Sequence, residues 1–159
     1  MRSVSMDKRY SLSDEDIELL ADSAAATVNR WEILIGSADE SLNSTVKDIF
    51  SEDERVYIDI AENGQEAFDK YRNGGIDLIL MDMEMPIMDG FEATRRIRKL
   101  ETERGATPVP IVALTAHAFS EERQRCLNAG CSHFFTKPIR KAALLKLLQD
   151  IFNPSGSSG

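Results

Sequence analysis

Short apolar runs alternate along this chain with segments in which apolar residues recur every three or four positions. The runs EILIG, VYIDI, DLILM, PIVAL and HFFT have the length and composition of β-strands. The segment after each run carries apolar side chains on one face, as an amphipathic helix does. DLILM and PIVAL are apolar on both faces, which is typical of the buried centre of a parallel sheet.

Five strands that alternate with five helices through short connections predict an α/β fold, a doubly wound five-stranded parallel sheet with helices on both faces. We expect this domain to cover residues 31–153. Residues 1–30 are predicted to form a tail and a linker, with one amphipathic helix over 13–28. The Gly/Ser-rich residues 154–159 are typical of an appended tail. The helices of the domain are predicted at 65–72, 91–100 and 121–128, after a first helix with Leu42, Val46, Ile49 and Phe50, and before a last one with Leu144, Leu145, Leu148, Ile151 and Phe152.

Composition narrows the range of functions. The formal net charge is -8, whereas a nucleic-acid surface needs clustered Lys and Arg, so we expect no nucleic-acid binding. No apolar stretch approaches the roughly 20 residues that cross a bilayer, and we expect a cytoplasmic chain without membrane contact of its own. Cys126 and Cys131 form no CxxC pair and have no zinc-like spacing with His117 or His133, which indicates two reduced structural thiols.

Polar residues interrupt the apolar pattern where three strands end. Asp82 ends the third predicted strand, Thr115 the fourth, and Lys137 follows the fifth. In doubly wound folds, ligands bind beyond the carboxyl ends of the strands, so we expect these side chains at one site. A carboxylate nucleophile, a hydroxyl donor and an ammonium group together suit phosphoryl transfer.

The segments DLILMDMEMPIMDG, PIVALTAHA and AGCSHFFTKPI resemble the three signature segments of response-regulator receiver domains. The resemblance covers about residues 32–152 and implies the flavodoxin/CheY-like strand order 2-1-3-4-5. The phrases LTAHAF, RCLNAG and FFTKPI are most similar to receivers of hybrid sensor histidine kinases. A two-component phosphorelay is therefore the implied setting, and a hybrid kinase, anchored in a membrane, is one parent protein that the resemblance allows.

The resemblance also implies a role for individual residues. Asp82 would be the phosphoacceptor, Lys137 the conserved cation, and Thr115 the switch hydroxyl, with Phe134 as the switch aromatic. A cis peptide bond would precede Pro138. The implied partner is a histidine phosphotransfer domain or a kinase dimerisation domain, docked against the first helix near Leu42, Asn43 and Val46. The receiver itself is expected to have no independent catalytic turnover.

The sequence departs from the family pattern after strand one. Receivers carry two adjacent acids there, which hold Mg²⁺ together with the acceptor, whereas the ungapped match places Ser37 and Ala38 in those positions. Asp82 and the backbone carbonyl of Glu84 remain as ligands. A slip of one residue would bring Asp39 to the metal, with Glu40 beside it, but the pattern of the strand opposes that slip. We therefore expect Mg²⁺, the cofactor of the family, to bind weakly here.

Two functions stay open on these residues: a phosphoacceptor that takes its phosphoryl group from a phosphohistidine, and a degenerate pseudo-receiver that acts by protein contacts alone. An aspartate-dependent phosphatase using Asp82 and Glu84 would need a substrate-capping insertion, and a flavodoxin-type flavin domain would need a loop unlike GSADESLN. His117 is expected near the acceptor, where it would affect dephosphorylation. The Ala-rich face of the helix at 13–28 permits pairing of two chains in a homodimer.

Overall fold

Five parallel strands form a single sheet in the computed structural model, which describes residues 30–152. The sheet order is β2-β1-β3-β4-β5, so both the predicted fold class and the predicted strand order are confirmed. The helix expected at 13–28 and the tail at 154–159 lie outside the described residues. The strands are β1 (Trp31–Gly36), β2 (Val56–Ala61), β3 (Leu78–Asp82), β4 (Ile111–Thr115) and β5 (His133–Thr136).

The helices follow the strands one by one and are α1 (Glu40–Ile49), α2 (Gly64–Arg72), α3 (Gly90–Arg104), α4 (Ser120–Ala129) and α5 (Lys141–Phe152). Helix α3 extends four residues beyond the predicted segment and ends at Gly105, whose φ of 62° is left-handed. Among residues 30–152, no helix is both long and apolar enough to span a membrane. The Lys137–Pro138 peptide bond is cis, as the family resemblance implied.

Two apolar layers cover the two faces of the sheet. Alternate strand residues, such as Ile33 and Leu34, belong to different layers because side chains in a strand point to opposite faces. One layer contains buried residues of α2, α3 and α4, and the other contains those of α1 and α5. Leu145 was predicted among the apolar positions of the last helix, but it is 39% exposed, since it lies beside the buried stripe of Leu144 and Leu148.

A buried polar network joins elements at the amino ends of the strands. The Glu101 carboxylate of α3 is almost fully buried and accepts hydrogen bonds from the Val109 amide at 2.7 Å and the Tyr71 hydroxyl at 3.0 Å. Arg98 pairs with the same carboxylate at 2.8 Å. Burial, together with the hydrogen bond to Glu101, raises the pKa of Tyr71 to about 12. This network fixes α2, α3 and the start of β4 at the end of the sheet opposite to the strand-end polar residues.

The two cysteines lie where α4 turns into β5. The Cys131 amide donates to the Cys126 carbonyl at 3.0 Å, across Gly130 with its left-handed φ of 114°. Both thiols are free and buried. Burial raises the pKa of Cys126 to about 12 and also raises that of Cys131, so neither forms the reactive thiolate readily near neutral pH.

Candidate functional site

The carboxyl ends of β1, β3, β4 and β5 meet at one edge of the sheet. Asp82 is the last residue of β3 and pairs with Leu114 of β4, next to Thr115. The Lys137 amide donates to the Thr115 carbonyl at 2.7 Å, which places Lys137 directly beyond the end of β5. The strand register thus brings the three polar residues singled out from the sequence to one edge.

Asp82 is 2% exposed, and both oxygens of its carboxylate accept hydrogen bonds. Its Oδ2 accepts from Nζ of Lys137 at 3.0 Å and from the hydroxyl of Ser37 at 3.1 Å. Its Oδ1 accepts from the Glu84 amide at 3.0 Å. A buried carboxylate is costly unless it is paired and hydrogen-bonded, and this arrangement supplies both a cation and neutral donors.

The end of β1 has a different chemistry from the acidic pair of the family. Gly36 pairs with Met81, so Ser37 is the residue that lies next to Asp82. Asp39 is exposed and caps α1, because its carboxylate accepts from the Ser41 amide at 2.9 Å and the Leu42 amide at 3.2 Å. The slip that would have brought Asp39 into the metal position is therefore not adopted.

The oxygen atoms that could serve as metal ligands at this edge do not match those of the divalent-cation site that the family resemblance implied. The position before Asp39 is Ala38, which has no side-chain ligand, and Ser37 offers a neutral hydroxyl that already donates to Asp82. Magnesium prefers several oxygens in near-octahedral geometry and is usually held by more than one carboxylate or phosphate. No group of three or more His, Cys, Asp or Glu side chains within residues 30–152 is arranged to hold a metal ion.

The segment after Asp82 is held tightly against its neighbours. A Cβ atom at Gly90 would lie 2.4 Å from the Asp82 carbonyl oxygen, and one at Gly64 would lie 2.3 Å from the Met88 carbonyl oxygen. The Gly64 amide also donates to that Met88 carbonyl at 2.7 Å. Both positions need glycine because the backbone of this segment approaches so closely. Within the segment that joins Asp82 to Gly90, Ile87 has a φ of 71° and is 84% exposed.

The switch residues implied by the resemblance both contact helix α4. The Thr115 hydroxyl, which is completely buried, donates to the Glu122 carboxylate at 3.1 Å. The guanidinium of Arg123 lies 5.2 Å from the ring centre of Phe134, within cation–π range. Sequence reasoning missed Glu122 and Arg123, because acids and bases in the first turns of an amphipathic helix are ordinarily solvated.

Glu84 and His117, which follow the ends of β3 and β4, contact each other. Nε2 of His117 lies 3.7 Å from Oε2 of Glu84, and both side chains are more than half exposed. The His117 ring also stacks on Phe119, with ring centres 6.0 Å apart. The His117 amide donates to the Thr115 hydroxyl at 3.2 Å, so His117 lies beside Thr115 and in contact with Glu84.

The fold and the strand-end residues define a class of protein, a flavodoxin/CheY-like α/β domain with a buried carboxylate paired to a lysine at the switch point of the sheet. The family model of the response regulator receiver domain matches residues 33–149. The chain belongs to this family.

Similarity to individual receiver-containing proteins is consistent with this membership. The chain is 38% identical over 139 residues to hybrid signal transduction histidine kinase B of Dictyostelium discoideum, which covers 82% of the chain but only 7% of that protein. The receiver domain of the Saccharomyces cerevisiae response regulator Ssk1, solved in complex with the histidine phosphotransfer protein Ypd1, superposes with a TM-score of 0.73 at 30% identity, covering 77% of this chain and 89% of that one.

A third relative was solved with a metal. The receiver domain of the sensor histidine kinase PA1611 from Pseudomonas aeruginosa has a magnesium ion coordinated in its active-site cleft. It is 32% identical to this chain, with a TM-score of 0.68, and the match covers 77% of this chain and 97% of that one. The two chains thus share one fold, and this chain has Ser37 and Ala38 at the positions after β1 where the family resemblance implied acids.

Proposed function

We propose that this chain is a phosphorelay receiver that accepts a phosphoryl group on Asp82 from a phosphohistidine donor. The observation that carries the proposal is the 3.0 Å contact between Nζ of Lys137 and Oδ2 of Asp82, at the edge where Thr115 also lies. The donor is a histidine phosphotransfer domain or a histidine kinase dimerisation domain. The Ssk1–Ypd1 complex supports the first kind of partner, since the chain resembles that receiver over most of its length.

The chemistry is a displacement at phosphorus. An oxygen of the Asp82 carboxylate forms the new P–O bond while the P–N bond of the phosphohistidine breaks, and the imidazole leaves with the electron pair of that bond. Lys137 neutralises charge on the phosphoryl oxygens, and Thr115 donates a hydrogen bond to one of them. A change in the rotamers of Thr115 and Phe134 then alters the surface that a partner contacts.

The role of Mg²⁺ in this chain is part of the proposal. In the family the ion would neutralise charge on the transferred group. Here one carboxylate and the Glu84 carbonyl remain from the set of ligands implied by the resemblance, and Ser37 and Ala38 replace the acids. We therefore propose that Mg²⁺ binds much more weakly than in a typical receiver.

A second candidate function is favoured by that same difference. With Ser37, Lys137 and the Glu84 amide all donating to it, the Asp82 carboxylate is satisfied inside the fold without any further ligand. A pseudo-receiver of this kind would bind a phosphotransfer or kinase partner in one constant state. Its surface would be used for protein contacts, and Asp82 would have a structural part.

Intact mass measurement separates the two functions. The protein is incubated with a phosphorylated histidine phosphotransfer domain, in Mg²⁺ and in chelator, beside an Asp82→Asn control. The gain of one phosphoryl group by the unaltered chain, absent in the control, is the expected result. If no mass is gained in either buffer while the phosphotransfer domain still binds, Asp82 is not an acceptor and the pseudo-receiver function holds.

A further inference from the structure

The hydrogen bonds of Thr115 restrict what its hydroxyl can do. The group is completely buried, donates to Oε2 of Glu122 at 3.1 Å, and accepts from the His117 amide at 3.2 Å. A hydroxyl carries one hydrogen and can donate it to one acceptor at a time. Donation to a phosphoryl oxygen on Asp82 therefore requires that the bond to Glu122 be broken.

The amino end of helix α4 lacks a side-chain capping hydrogen bond. The hydrogen bond between Thr115 and Glu122 therefore also restrains this end of the helix. Phe119, at the cap position, provides no side-chain hydrogen bond to the first turn. Residues 116–121 are all exposed. Glu122 is the half-buried position of this turn, and its carboxylate ties the turn to the carboxyl end of β4.

The next residue along α4 contacts the other switch residue. Arg123 lies with its guanidinium 5.2 Å from the ring centre of Phe134, which packs partly against the core layer of α2, α3 and α4. Two consecutive residues of one helical turn thus hold Thr115 of β4 and Phe134 of β5. A shift of this turn moves both contacts together.

We infer that Glu122 is a positioning residue that holds the Thr115 hydroxyl in the unmodified protein by accepting its hydrogen bond, a contact that we call the latch. Because Arg123 of the same helical turn contacts Phe134, release of Thr115 from Glu122 is coupled to movement of the Phe134 ring. The inference rests on the proposed function only in treating Thr115 and Phe134 as the switch. The latch itself is a property of the unmodified chain. It can therefore be tested without any phosphoryl donor.

The matched variants are Glu122→Ala, which removes the acceptor, Glu122→Gln, which keeps an acceptor oxygen, and Glu121→Ala, which removes an exposed acid of the same turn. Three-bond couplings in solution NMR report the side-chain rotamer of Thr115, and aromatic shifts report the ring of Phe134. We expect one Thr115 rotamer in the unaltered chain and in Glu121→Ala. In Glu122→Ala the rotamers should average and the Phe134 shifts should move, with Glu122→Gln closer to the unaltered chain.

An unchanged Thr115 rotamer or unchanged Phe134 shifts in Glu122→Ala would overturn the latch. Where transfer to Asp82 is detected, Glu122→Ala should accept the phosphoryl group about tenfold faster, since a hydrogen bond to a charged group no longer has to be broken. Equal rates in the two proteins would also overturn it. If no variant gains a phosphoryl group, the proposed function fails, and the rotamer measurement still decides on the latch.

Discussion

The hydroxyl of Ser37 donates a hydrogen bond of 3.1 Å to Oδ2 of Asp82. In a receiver with the usual acidic pair, this position would repel the acceptor carboxylate unless a cation lay between the two. In the present chain the contact is attractive, and the ammonium group of Lys137 supplies the compensating charge at 3.0 Å. The electrostatics at Asp82 are therefore those of an internal ion pair.

Restoring both acids should create a metal site. Ser37→Asp with Ala38→Asp adds two carboxylates beside Asp82, so we expect Mg²⁺ affinity to rise at least about tenfold, which corresponds to about 1.4 kcal/mol. Isothermal titration calorimetry measures the affinity directly, and line broadening by Mn²⁺ locates the ion by NMR. Without metal, the same variant should be less stable than the unaltered chain, because like charges crowd the site.

Asp39→Ser is the control for that measurement, since serine still caps α1 while the exposed carboxylate is removed. We expect Asp39→Ser to leave Mg²⁺ affinity unchanged. A marked loss of affinity in Asp39→Ser would mean that Asp39, and not the pair of positions before it, faces the cation.

Gly90→Ala should disturb the end of β3, where Asp82 lies. The added Cβ would lie 2.4 Å from the Asp82 carbonyl oxygen and 2.8 Å from the Cα of Met83, both of which belong to the backbone. We expect a loss of about 3 kcal/mol in the free energy of unfolding, because overpacking against backbone is not relieved by a rotamer change. Urea denaturation followed by circular dichroism gives the value.

Gly105→Asn is the matched comparison. Gly105 has a φ of 62°, a Cβ added there would have no neighbouring atom within 4 Å, and asparagine tolerates left-handed backbone. The cost of this substitution should stay within about 1 kcal/mol. Equal losses in the two variants would show that close packing at Gly90 is not the cause.

Glu101→Gln should destabilise the far end of the sheet. The substitution leaves Arg98 without its buried partner and weakens the bonds from Val109 and Tyr71. Because the Arg98 side chain is 21% exposed, we expect about 3 kcal/mol, near the lower limit for breaking a buried pair. Thermal unfolding would report this, with the exposed Glu103→Gln as control. If Glu101→Gln lost no more stability than Glu103→Gln, the hydrogen-bond network around Glu101 would contribute little to the free energy of unfolding.

Stability should decline in mild acid because of His133. Burial lowers the pKa of this side chain, against a smaller opposing effect of Asp150. The unfolded chain then takes up a proton more readily than the folded one, so stability is retained above the ordinary pKa of about 6.5 and is lost as the pH falls below it. His133→Gln and His133→Phe should both flatten the dependence of unfolding free energy on pH between about 7.5 and 5.5. An unchanged slope in both variants would rule out His133 as its source.

Much of the fold could be predicted because apolar runs mark buried strands regardless of what packs on them. The run HFFT corresponds to β5 residue for residue, whereas α3 continues to Arg104, beyond the last apolar position that the periodicity could show. The strand-end positions of Asp82, Thr115 and Lys137 followed from the same pattern, since parallel strands share one carboxyl edge.

Contacts between segments that are distant in the sequence could not be predicted from the pattern of apolar and polar residues. The bonds of Thr115 to Glu122 and of Tyr71 to Glu101 join residues on different elements, and nothing in local composition distinguishes these acids from solvated ones. The replacement of the acidic pair was visible in the sequence. The hydrogen bond that the Ser37 hydroxyl donates to the Asp82 carboxylate could not be predicted, because it depends on the register of β1 against β3.

The contact between Gly64 and Met88 has a wider meaning for this chain. No hydrogen bond of the Asp82 carboxylate comes from helix α2 among the described residues, yet the first residue of that helix, Gly64, lies directly against the Met88 carbonyl in the segment after Asp82. The position of the backbone after Asp82 thus depends on an element that contributes no side chain to the hydrogen bonds of Asp82. A substitution at Gly64 would therefore displace the segment after Asp82 without altering Asp82, Thr115 or Lys137.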